Sequence, residues 1–299
     1  MSSMTAASTA TDPSDHDSSH HERRVGYFGP ATTPTHAAAL LLYGPGAIYE
    51  PFPTIGLVFD AVATGLVDHG VVPIENSTEG TVRETVDCLI TESPLIEREI
   101  ETEIRHCLLG APGLDPTRAV AVLSHPQALA QCRKWLDTNY PKLPRRAAAS
   151  TAQAAREARE HGQLLAIASS LAAETEGLTI FAKGINDRKD NTTRFVSVGS
   201  RDAAPTGADR TSLVFTTPHE RGALRSVLGI LDDSGVNLSR IESRPLPNRL
   251  WEYAFVVDVE GHREDPSVKA ALAELERTER LVKVLGSYPR GALVKPPGS

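Results

Sequence analysis

Short apolar runs rich in β-branched residues alternate with alanine-rich segments between residues 25 and 199. The apolar runs are bounded by turn residues and have the length of buried strands, whereas the alanine-rich segments have helical spacing. The runs that predict strands are VGYFG (25–29), AIYEPF (47–52), HGVVPIE (69–75), AVAVLSHP (119–126), RRAAA (145–149), LLAIAS (164–169) and LTIFAKG (178–184). The segments that predict helices are THAAALLLYG (35–44), LVFDAVATGL (57–66), EGTVRETVDCLIT (79–91), QALAQCRKWLDTNY (127–140), STAQAAREAREHG (150–162) and SLAAETEG (170–177). This order predicts a parallel α/β architecture.

Two further segments predict that the α/β region has two lobes. The run LIEREIETEIRHCLLG (95–110) alternates isoleucines with charged residues and is long enough to cross from one lobe to another. The stretch NDRKDNTTRFVSVG (186–199) begins polar and ends as a strand, which is typical of a segment that returns to the first lobe. Two α/β units joined in this way place a ligand cleft between them, at the carboxyl ends of strands.

Beyond the polar segment SRDAAPTGADR (200–210) the pattern changes to βαββαβ, which predicts a ferredoxin-like domain. A serine-rich and aspartate-rich stretch at the amino end lacks apolar periodicity and predicts disorder. We therefore expect a disordered tail at 1–24, a two-lobed domain at 25–200, a linker at 201–210, a ferredoxin-like domain at 211–290 and a tail at 291–299.

Composition narrows the class of partner. The net charge of −7 and the pI near 5.8 argue against a nucleic-acid partner, so we expect an anionic metabolite to be met by local arginine or lysine. Cys88, Cys107 and Cys132 have neither paired spacing nor a clustered histidine, so we expect reduced thiols and no metal site. No apolar run reaches the roughly 18 residues of a membrane span, and no secretory h-region is present. These features favour a cytoplasmic protein.

Polar turns at the ends of the predicted strands supply candidate chemistry. Asn76 and Ser77 follow a buried strand in VVPIENSTEGTV, which is the layout of a ligand-binding strand-to-helix turn. Ser124 and Gln131 occupy a similar position in SHPQALAQC, where free backbone N–H groups favour a carboxylate. Helix capping and a solvated glutamine remain alternatives for these residues.

Hydroxyl groups recur at two further helix starts. Ser150 and Gln153 form a capping box in STAQ, with Thr151 between them, and Thr33 lies in the threonine-rich turn GPATTPTH. Capping alone explains both turns as well as ligand binding does. Thr193 and Arg194 stand at the mouth of the last apolar strand, where period-two alternation sends their side chains to opposite faces.

Taken together and in order, these stretches resemble the prephenate dehydratase family. The resemblance rests on GYFGPATTPTH, VVPIENSTEGTVRETVD, SHPQALAQCRKWL, STAQAA and DNTTRFVSVG, and on ERGAL, RIESRP and LWEYAFVVDVEGH near the carboxyl end. It implies a periplasmic-binding-protein-like catalytic domain followed by an ACT regulatory domain. It also implies the decarboxylating dehydration of prephenate to phenylpyruvate, without a cofactor.

The resemblance assigns roles to individual residues. Thr193 is the implied acid at the departing hydroxyl, and Arg194 is the implied carboxylate partner. The implied substrate-binding residues are Thr33, Asn76, Ser77, Ser124, Gln131, Ser150, Thr151 and Arg194. L-phenylalanine is the implied effector of a homodimer or homotetramer, bound between ACT domains. Its implied binding residues are Gly222, Ala223, Leu224, Glu242, Ser243, Arg244 and Pro245.

The chain also departs from the family pattern. Thr32 stands where the first motif usually has glycine, and Pro34 where it has phenylalanine, which changes the backbone options of that loop. Pro247 stands where the ACT segment commonly has lysine.

Three functional interpretations remain open. One is prephenate dehydratase under phenylalanine control. Another is a relative with similar chemistry, either an arogenate dehydratase or a decarboxylase, although decarboxylating relatives lack the threonine that this chain has at Thr193. The third is a non-catalytic intracellular amino-acid sensor, which would have no need of Thr193 and Arg194.

Overall fold

The computed structural model describes residues 22–245, 253–279 and 281–294, and within these ranges the strands form three sheets. The strands are β1 Arg24–Phe28, β2 Ile48–Phe52, β3 His69–Asn76, β4 Gly80–Thr81, β5 Leu95–Glu103, β6 Cys107–Gly110, β7 Ala121–Ser124, β8 Arg145–Ala147, β9 Leu164–Ala168, β10 Thr179–Lys183, β11 Thr192–Gly199, β12 Asp209–Thr216, β13 Leu238–Pro245, β14 Tyr253–Glu260, β15 Leu281–Pro289 and β16 Leu293–Val294. The helices are α1 Pro34–Tyr43, α2 Ile55–Ala63, α3 Arg83–Thr91, α4 Pro126–Gln131, α5 Arg133–Asn139, α6 Thr151–His161, α7 Ser170–Glu176, α8 Ala223–Asp233 and α9 Pro266–Thr278. No helix in these ranges combines the length and apolar character that a membrane span requires.

The first lobe is built on a mixed sheet rather than the predicted parallel one. Its order is β16-β5-β11-β3-β1-β2, with β4 paired to β3, and β11 runs antiparallel to both of its neighbours. The reason is the path of the chain. Strand β5 leaves the first lobe at one end of the sheet and β11 returns at that same end, so the two strands must run in opposite directions.

The second lobe contains the sheet β10-β6-β9-β7-β8, in which β7 is parallel to β8 and β9. All five residues of β9 are buried, as expected for a central strand covered on both faces. Four alanines of α6 are buried, and three of them, Ala154, Ala155 and Ala158, share a core with this sheet and allow close packing. The predicted helix 127–140 is in fact two helices, and the carboxylate of Asp187 accepts the backbone N–H groups of Lys134 and Trp135 at the start of α5.

The C-terminal domain has the predicted βαββαβ order, and its sheet runs β13-β14-β12-β15. Helices α8 and α9 cover one face through a core that includes Leu213, Phe215 and Val257. The other face packs on the first lobe, where Val256 and Tyr288 share a core with residues of α3 and β5. The C-terminal domain therefore lies directly against the lobe that carries β11.

The expected boundaries shift slightly at the ends of the domains. Strand β12 begins at Asp209, inside the expected linker. Residues Leu293–Val294, expected in the tail, pair parallel with β5 and satisfy part of that strand's outer edge. Residues 1–21 and Pro247 lie outside the described ranges.

The loop before α1 departs from ordinary backbone geometry at Thr32. This residue has a φ of 69°, a conformation that costs a residue with a Cβ roughly 1–2 kcal/mol. Its buried Oγ1 has no hydrogen-bond partner among the described residues. The loop therefore keeps a glycine-like backbone although it carries threonine.

Candidate active site

A cleft of about 690 Å³ lies between the two lobes. The polar residues that line it come from both lobes and from the two segments that join them. They are Thr33, Thr35, Asn76, Glu79, Thr81, His106, His125, Gln127, Gln131, Ser150, Thr151, Asn191 and Thr193. Six of the predicted site residues therefore meet in one place, namely Thr33, Asn76, Gln131, Ser150, Thr151 and Thr193.

Thr193 lies opposite Asn76 in the register of β11 and β3. The amide Nδ2 of Asn76 donates a hydrogen bond to the Thr193 Oγ1 at 2.7 Å. The Thr193 oxygen thus acts as an acceptor toward the protein. Its own hydrogen is left available to donate to a ligand in the cleft.

The orientation of the Asn76 amide is fixed by its other contacts. Its Oδ1 accepts the backbone N–H groups of Thr78 and Glu79 at 2.9 and 3.1 Å. Because a backbone N–H can only donate, this oxygen must face the turn, and the NH₂ group must face Thr193. The turn after β3 therefore determines the direction of the hydrogen bond to Thr193.

A chain of amide contacts connects the lobes at the base of the cleft. Asn76 Nδ2 also donates to Asn191 Oδ1 at 2.9 Å, and Asn191 Nδ2 donates to Gln131 Oε1 at 3.3 Å. The same Gln131 oxygen lies 2.9 Å from His106 Nε2. Burial lowers the pKa of His106, and its hydrogen bond with Gln131 offsets part of that shift, so the ring is held neutral with Nε2 as donor.

Sequence reasoning did not single out Asn191 or His106. Asn191 lies two residues before Thr193, and period-two spacing would have placed both on one face of the strand. His106 marks the point at which the chain crosses between lobes. A polar residue at such a crossing indicates a position at the base of the cleft.

The described residues that line this cleft include no arginine or lysine, whereas Arg105 and Lys183 line an adjoining pocket that shares His106 and Thr151 with it. Three helices instead begin at the cleft, with Thr33, His125 and Ser150 as their N-caps. Free N–H groups and the helix dipole make such ends favourable for anions. The predicted capping role is confirmed for Ser150, whose Oγ accepts the N–H of Gln153 at 3.0 Å, and this residue also lines the cleft.

Three predicted substrate-binding residues do not present their side chains to the cleft. Arg194 points to the opposite face of β11 and contacts Glu99, Asp258 and Tyr288. This confirms that Thr193 and Arg194 face opposite sides of β11, and it contradicts the predicted carboxylate-binding role of Arg194. The register shift after Arg194 in the pairing with β3 does not turn its side chain toward the cleft. Ser124 is fully buried and donates to the carbonyl of Ile167 at 2.6 Å.

Ser77 joins the ends of two strands. Its Oγ donates to the carbonyl of Asp190 and accepts the N–H of Thr192, both at 3.0 Å. It therefore holds the returning segment against β3 rather than facing a ligand.

The predicted effector residues occupy two elements of the C-terminal domain. Gly222 is the N-cap of α8 with a φ of 89°, and Ala223 and Leu224 open that helix. In β13, Ser243 and Pro245 are exposed, whereas Glu242 and Arg244 face the first lobe and contact Thr81 and Asp87. In this arrangement the two charged side chains of the set make contacts within the chain.

A two-lobed α/β domain with a cleft between its lobes, followed by a βαββαβ domain, defines a periplasmic-binding-protein-like domain joined to a ferredoxin-like one. The prephenate dehydratase family model matches residues 25–203, and the ACT domain model matches residues 211–277. The chain belongs to the prephenate dehydratase family.

Individual proteins agree with this assignment. The chain is 42% identical over 270 residues to a bifunctional chorismate mutase/prephenate dehydratase of Stutzerimonas stutzeri. The aligned region covers 90% of this chain and 74% of that protein. The solved structure of a prephenate dehydratase from Arthrobacter aurescens in complex with L-Phe has a TM-score of 0.82 and 37% identity, covering 89% of this chain and 90% of that one. A structure described as GqqA, a novel type of quorum quenching acylase, also has a TM-score of 0.82, with 33% identity, 90% coverage of this chain and 98% of that one.

Proposed function

We propose that this chain is a prephenate dehydratase, a carbon–oxygen lyase that converts prephenate to phenylpyruvate and is regulated by L-phenylalanine. The observation that carries the proposal is the Asn76–Thr193 hydrogen bond. It leaves the Thr193 hydroxyl as a donor aimed into a cleft bordered by helix N-termini.

The reaction requires only a positioned hydrogen-bond donor and a site for two carboxylates. The electrons of the bond to the ring carboxylate move into the ring as carbon dioxide leaves, and the 4-hydroxyl departs as hydroxide, which takes up a proton to become water. The product ring is aromatic, and this drives the reaction. Thr193 stabilises the departing oxygen by donating to it, and the proton is replaced from solvent.

The helix starts that border the cleft supply donors for the two carboxylates of prephenate. Ser150 and Thr151 stand at the start of α6 and offer hydroxyl donors beside free N–H groups. Thr33 stands at the start of α1, where its own hydroxyl donates to the carbonyl of Pro30 at 2.9 Å. Gln131 adds an amide on the second lobe. Binding from both lobes orients the substrate across the cleft, with its hydroxyl toward Thr193.

The contacts of Thr193 favour a donor over a nucleophile, which bears on the acylase name of one similar structure. A threonine that attacks an acyl group must pass its proton to a base. The partner observed here is the NH₂ group of Asn76, which cannot accept a proton. The arrangement therefore supports dehydration rather than acyl transfer.

The other interpretations differ from the proposal in ways that can be measured. Arogenate carries an amine where prephenate has a ketone, and the hydroxyl and amide groups that line the cleft can accept from the amine or donate to the ketone. A decarboxylase would release carbon dioxide without expelling the hydroxyl. A sensor would bind its ligand and leave it unchanged.

The test is an assay of the purified protein with prephenate and, in parallel, with arogenate. We expect phenylpyruvate from prephenate, and we expect Thr193→Ala to lower kcat about 10²–10³-fold because it removes the donor. Thr193→Ser, which keeps the hydroxyl, should retain most of the activity. Thr192→Ala is the matched control, because it is the same substitution one residue away, at a side chain that does not line the cleft.

If the wild-type protein forms no phenylpyruvate, the proposed function is wrong. If Thr193→Ala turns over like Thr192→Ala, the protein is a dehydratase but Thr193 is not its donor.

The cytoplasmic location, the absence of a cofactor and the homo-oligomeric state stay predictions of the family resemblance. An exposed edge strand at β13 supports side-by-side pairing of two ACT domains, with L-phenylalanine between them.

A further inference from the structure

The side chain of Arg194 lies in the interface between the ACT domain and the first lobe. It is 7% exposed, although arginine is seldom buried unless it is paired. Its Nε donates to Glu99 Oε2 at 2.6 Å within the first lobe. Its two terminal nitrogens donate to the ACT domain, to Asp258 Oδ2 at 2.6 Å and to Tyr288 OH at 2.9 Å.

The partners of Arg194 are themselves fixed. Ser212 Oγ lies 2.6 Å from both Asp258 Oδ1 and Tyr288 OH, so the two ACT strands β14 and β15 present one connected surface. Arg210 donates to the same Glu99 oxygen at 2.7 Å. The guanidinium of Arg194 therefore has three donors committed and little freedom to move independently of either domain.

These groups keep their charges in the buried interface. Burial tends to lower the pKa of Arg194, but Tyr288, Asp258 and Glu99 outweigh this and raise the pKa well above its usual value. Burial likewise tends to raise the pKa of Asp258, and Arg194 and Arg240 hold it below its ordinary value instead. A displacement that separated these charges would leave each of them buried and unpaired, which is strongly unfavourable.

A second group of contacts joins β13 of the ACT domain to β3 and β4 of the first lobe. Arg240 Nε lies 3.3 Å from Glu75 Oε2, and its Nη2 donates to Thr81 Oγ1 at 2.9 Å. Thr81, which lines the cleft, donates in turn to Glu242 Oε2 at 2.7 Å. The strand predicted to bind the effector thus touches the wall of the cleft.

The register of β3 and β11 brings these contacts together. Thr193 is paired with Asn76, and the next pair is Arg194 with Glu75. The first pair makes the hydrogen bond in the cleft, and both members of the second pair contact the ACT domain. One step along the strands therefore separates the catalytic hydrogen bond from the domain interface.

We propose that Arg194 is a positioning residue through which the ACT domain sets the placement of the Thr193 hydroxyl in the cleft. A shift of the ACT sheet against the first lobe moves Arg194 and Glu75, and with them the Asn76–Thr193 pair. This proposal rests on the proposed dehydratase function for its kinetic consequence. The competing explanation is an ion pair that serves only to hold the domains together.

The test compares variants on the ACT side of the interface. Asp258→Asn and Tyr288→Phe weaken the hold on Arg194 without changing the first lobe. Lys283→Met is the matched control, because Lys283 also bridges the domains, through the carbonyls of Leu89, Ile90 and Glu92, but touches neither β3 nor β11. Each variant is measured for kcat, for KM with prephenate, for inhibition or activation by L-phenylalanine and for its thermal unfolding midpoint.

We expect Asp258→Asn to lower kcat about tenfold with KM changed less than twofold, since a small misplacement of a catalytic group acts on the chemical step. Tyr288→Phe should act in the same direction and more weakly. Lys283→Met should lower the unfolding midpoint and leave kcat within about twofold of the wild type. The proposal is overturned if kcat in Asp258→Asn is unchanged, or if Lys283→Met with an equal loss of stability loses as much kcat.

Hydrogen exchange of the backbone gives a readout that does not depend on turnover. Asp258→Asn should speed exchange in peptides covering 76–81 and 192–195, whereas Lys283→Met should not. If the wild type forms no phenylpyruvate, the proposed function fails alone, and the exchange data still decide the positioning role. Equal exchange in both variants would refute it.

Discussion

At the scale of single residues, the site depends on which atom donates to which. Asn76 supplies an N–H to the oxygen of Thr193, and in the proposed mechanism this leaves the Thr193 hydrogen for the departing hydroxyl. The backbone N–H groups of Thr78 and Glu79 hold the Asn76 amide in this orientation. An amide at position 76 can therefore not be exchanged for a carboxylate of the same shape, because only the amide donates to Thr193.

Asn76→Asp tests this directionality. The carboxylate keeps the acceptor for the two backbone N–H groups, and so keeps the turn, but replaces the donor with a second acceptor. It would then compete for the Thr193 hydrogen, and we expect kcat to fall about 10²-fold or more, as for loss of an oriented donor. Kinetics with prephenate, with circular dichroism to verify folding, make the measurement. A folded Asn76→Asp protein with wild-type kcat would contradict the assigned direction of the hydrogen bond.

Single residues also show what sequence reasoning could predict about the site. The sequence pointed to Asn76 because it follows a strand, to Ser150 and Thr151 because they open a helix, and to Thr193 because it begins a strand. Gln131 was proposed from its place in the motif SHPQALAQC. The error on Arg194 came from proximity in sequence, since a neighbour on a strand faces the other way. Alternation gave its direction, but its partner Asp258 is 64 residues away and no local pattern identifies it.

At the scale of elements, most strands and helices could be predicted from period and turn residues, but pairing could not. The crossing at 95–110 was recognised from its length and resolves into β5 and β6. The antiparallel entry of β11 follows from where the chain returns, which is a property of the tertiary path. The pairing of β16 with β5 likewise depends on a free strand edge that the sequence does not display.

Gly286 in β15 shows how closely two elements approach. A Cβ added there would lie 2.1 Å from the carbonyl oxygen of Ile96 in β5, and the residue has a φ of 147°. Gly286→Ala must therefore separate β15 from β5, and we expect it to lower the free energy of unfolding by about 3 kcal/mol. Urea unfolding measures the change.

Gly229→Ala in α8 is the control for this substitution. An added Cβ there meets nothing within 4 Å, and alanine is favoured in helices, so stability should rise by about 0.5–1 kcal/mol. If Gly286→Ala were as stable as the wild type, the close approach of β15 to β5 would be wrong.

At the scale of the whole molecule, the catalytic and regulatory halves share one core. Apolar side chains of the ACT sheet pack with those of α3, β5 and β11, and the ionic contacts of Arg194 lie beside them. Because interiors are closely packed, a change in the ACT sheet is transmitted to β11 as a displacement rather than absorbed. The effector therefore needs no contact with the cleft to alter turnover.

An effector that bridges two ACT domains requires two chains to pair, and Ile241 allows a test of this pairing. It lies on the edge strand β13 and is 43% exposed, so a charge there should block side-by-side pairing of ACT domains. We expect the wild-type protein to elute as a dimer or larger, with L-phenylalanine favouring the assembly, and Ile241→Lys to elute as a monomer.

Because a ligand that bridges chains is linked to their association, Ile241→Lys should also bind L-phenylalanine more weakly. Leu57→Lys on α2, where the native residue is equally exposed at 43%, should change neither property. A wild-type monomer with and without L-phenylalanine would rule out a bridging effector, and the positioning role of Arg194 would then operate within a single chain.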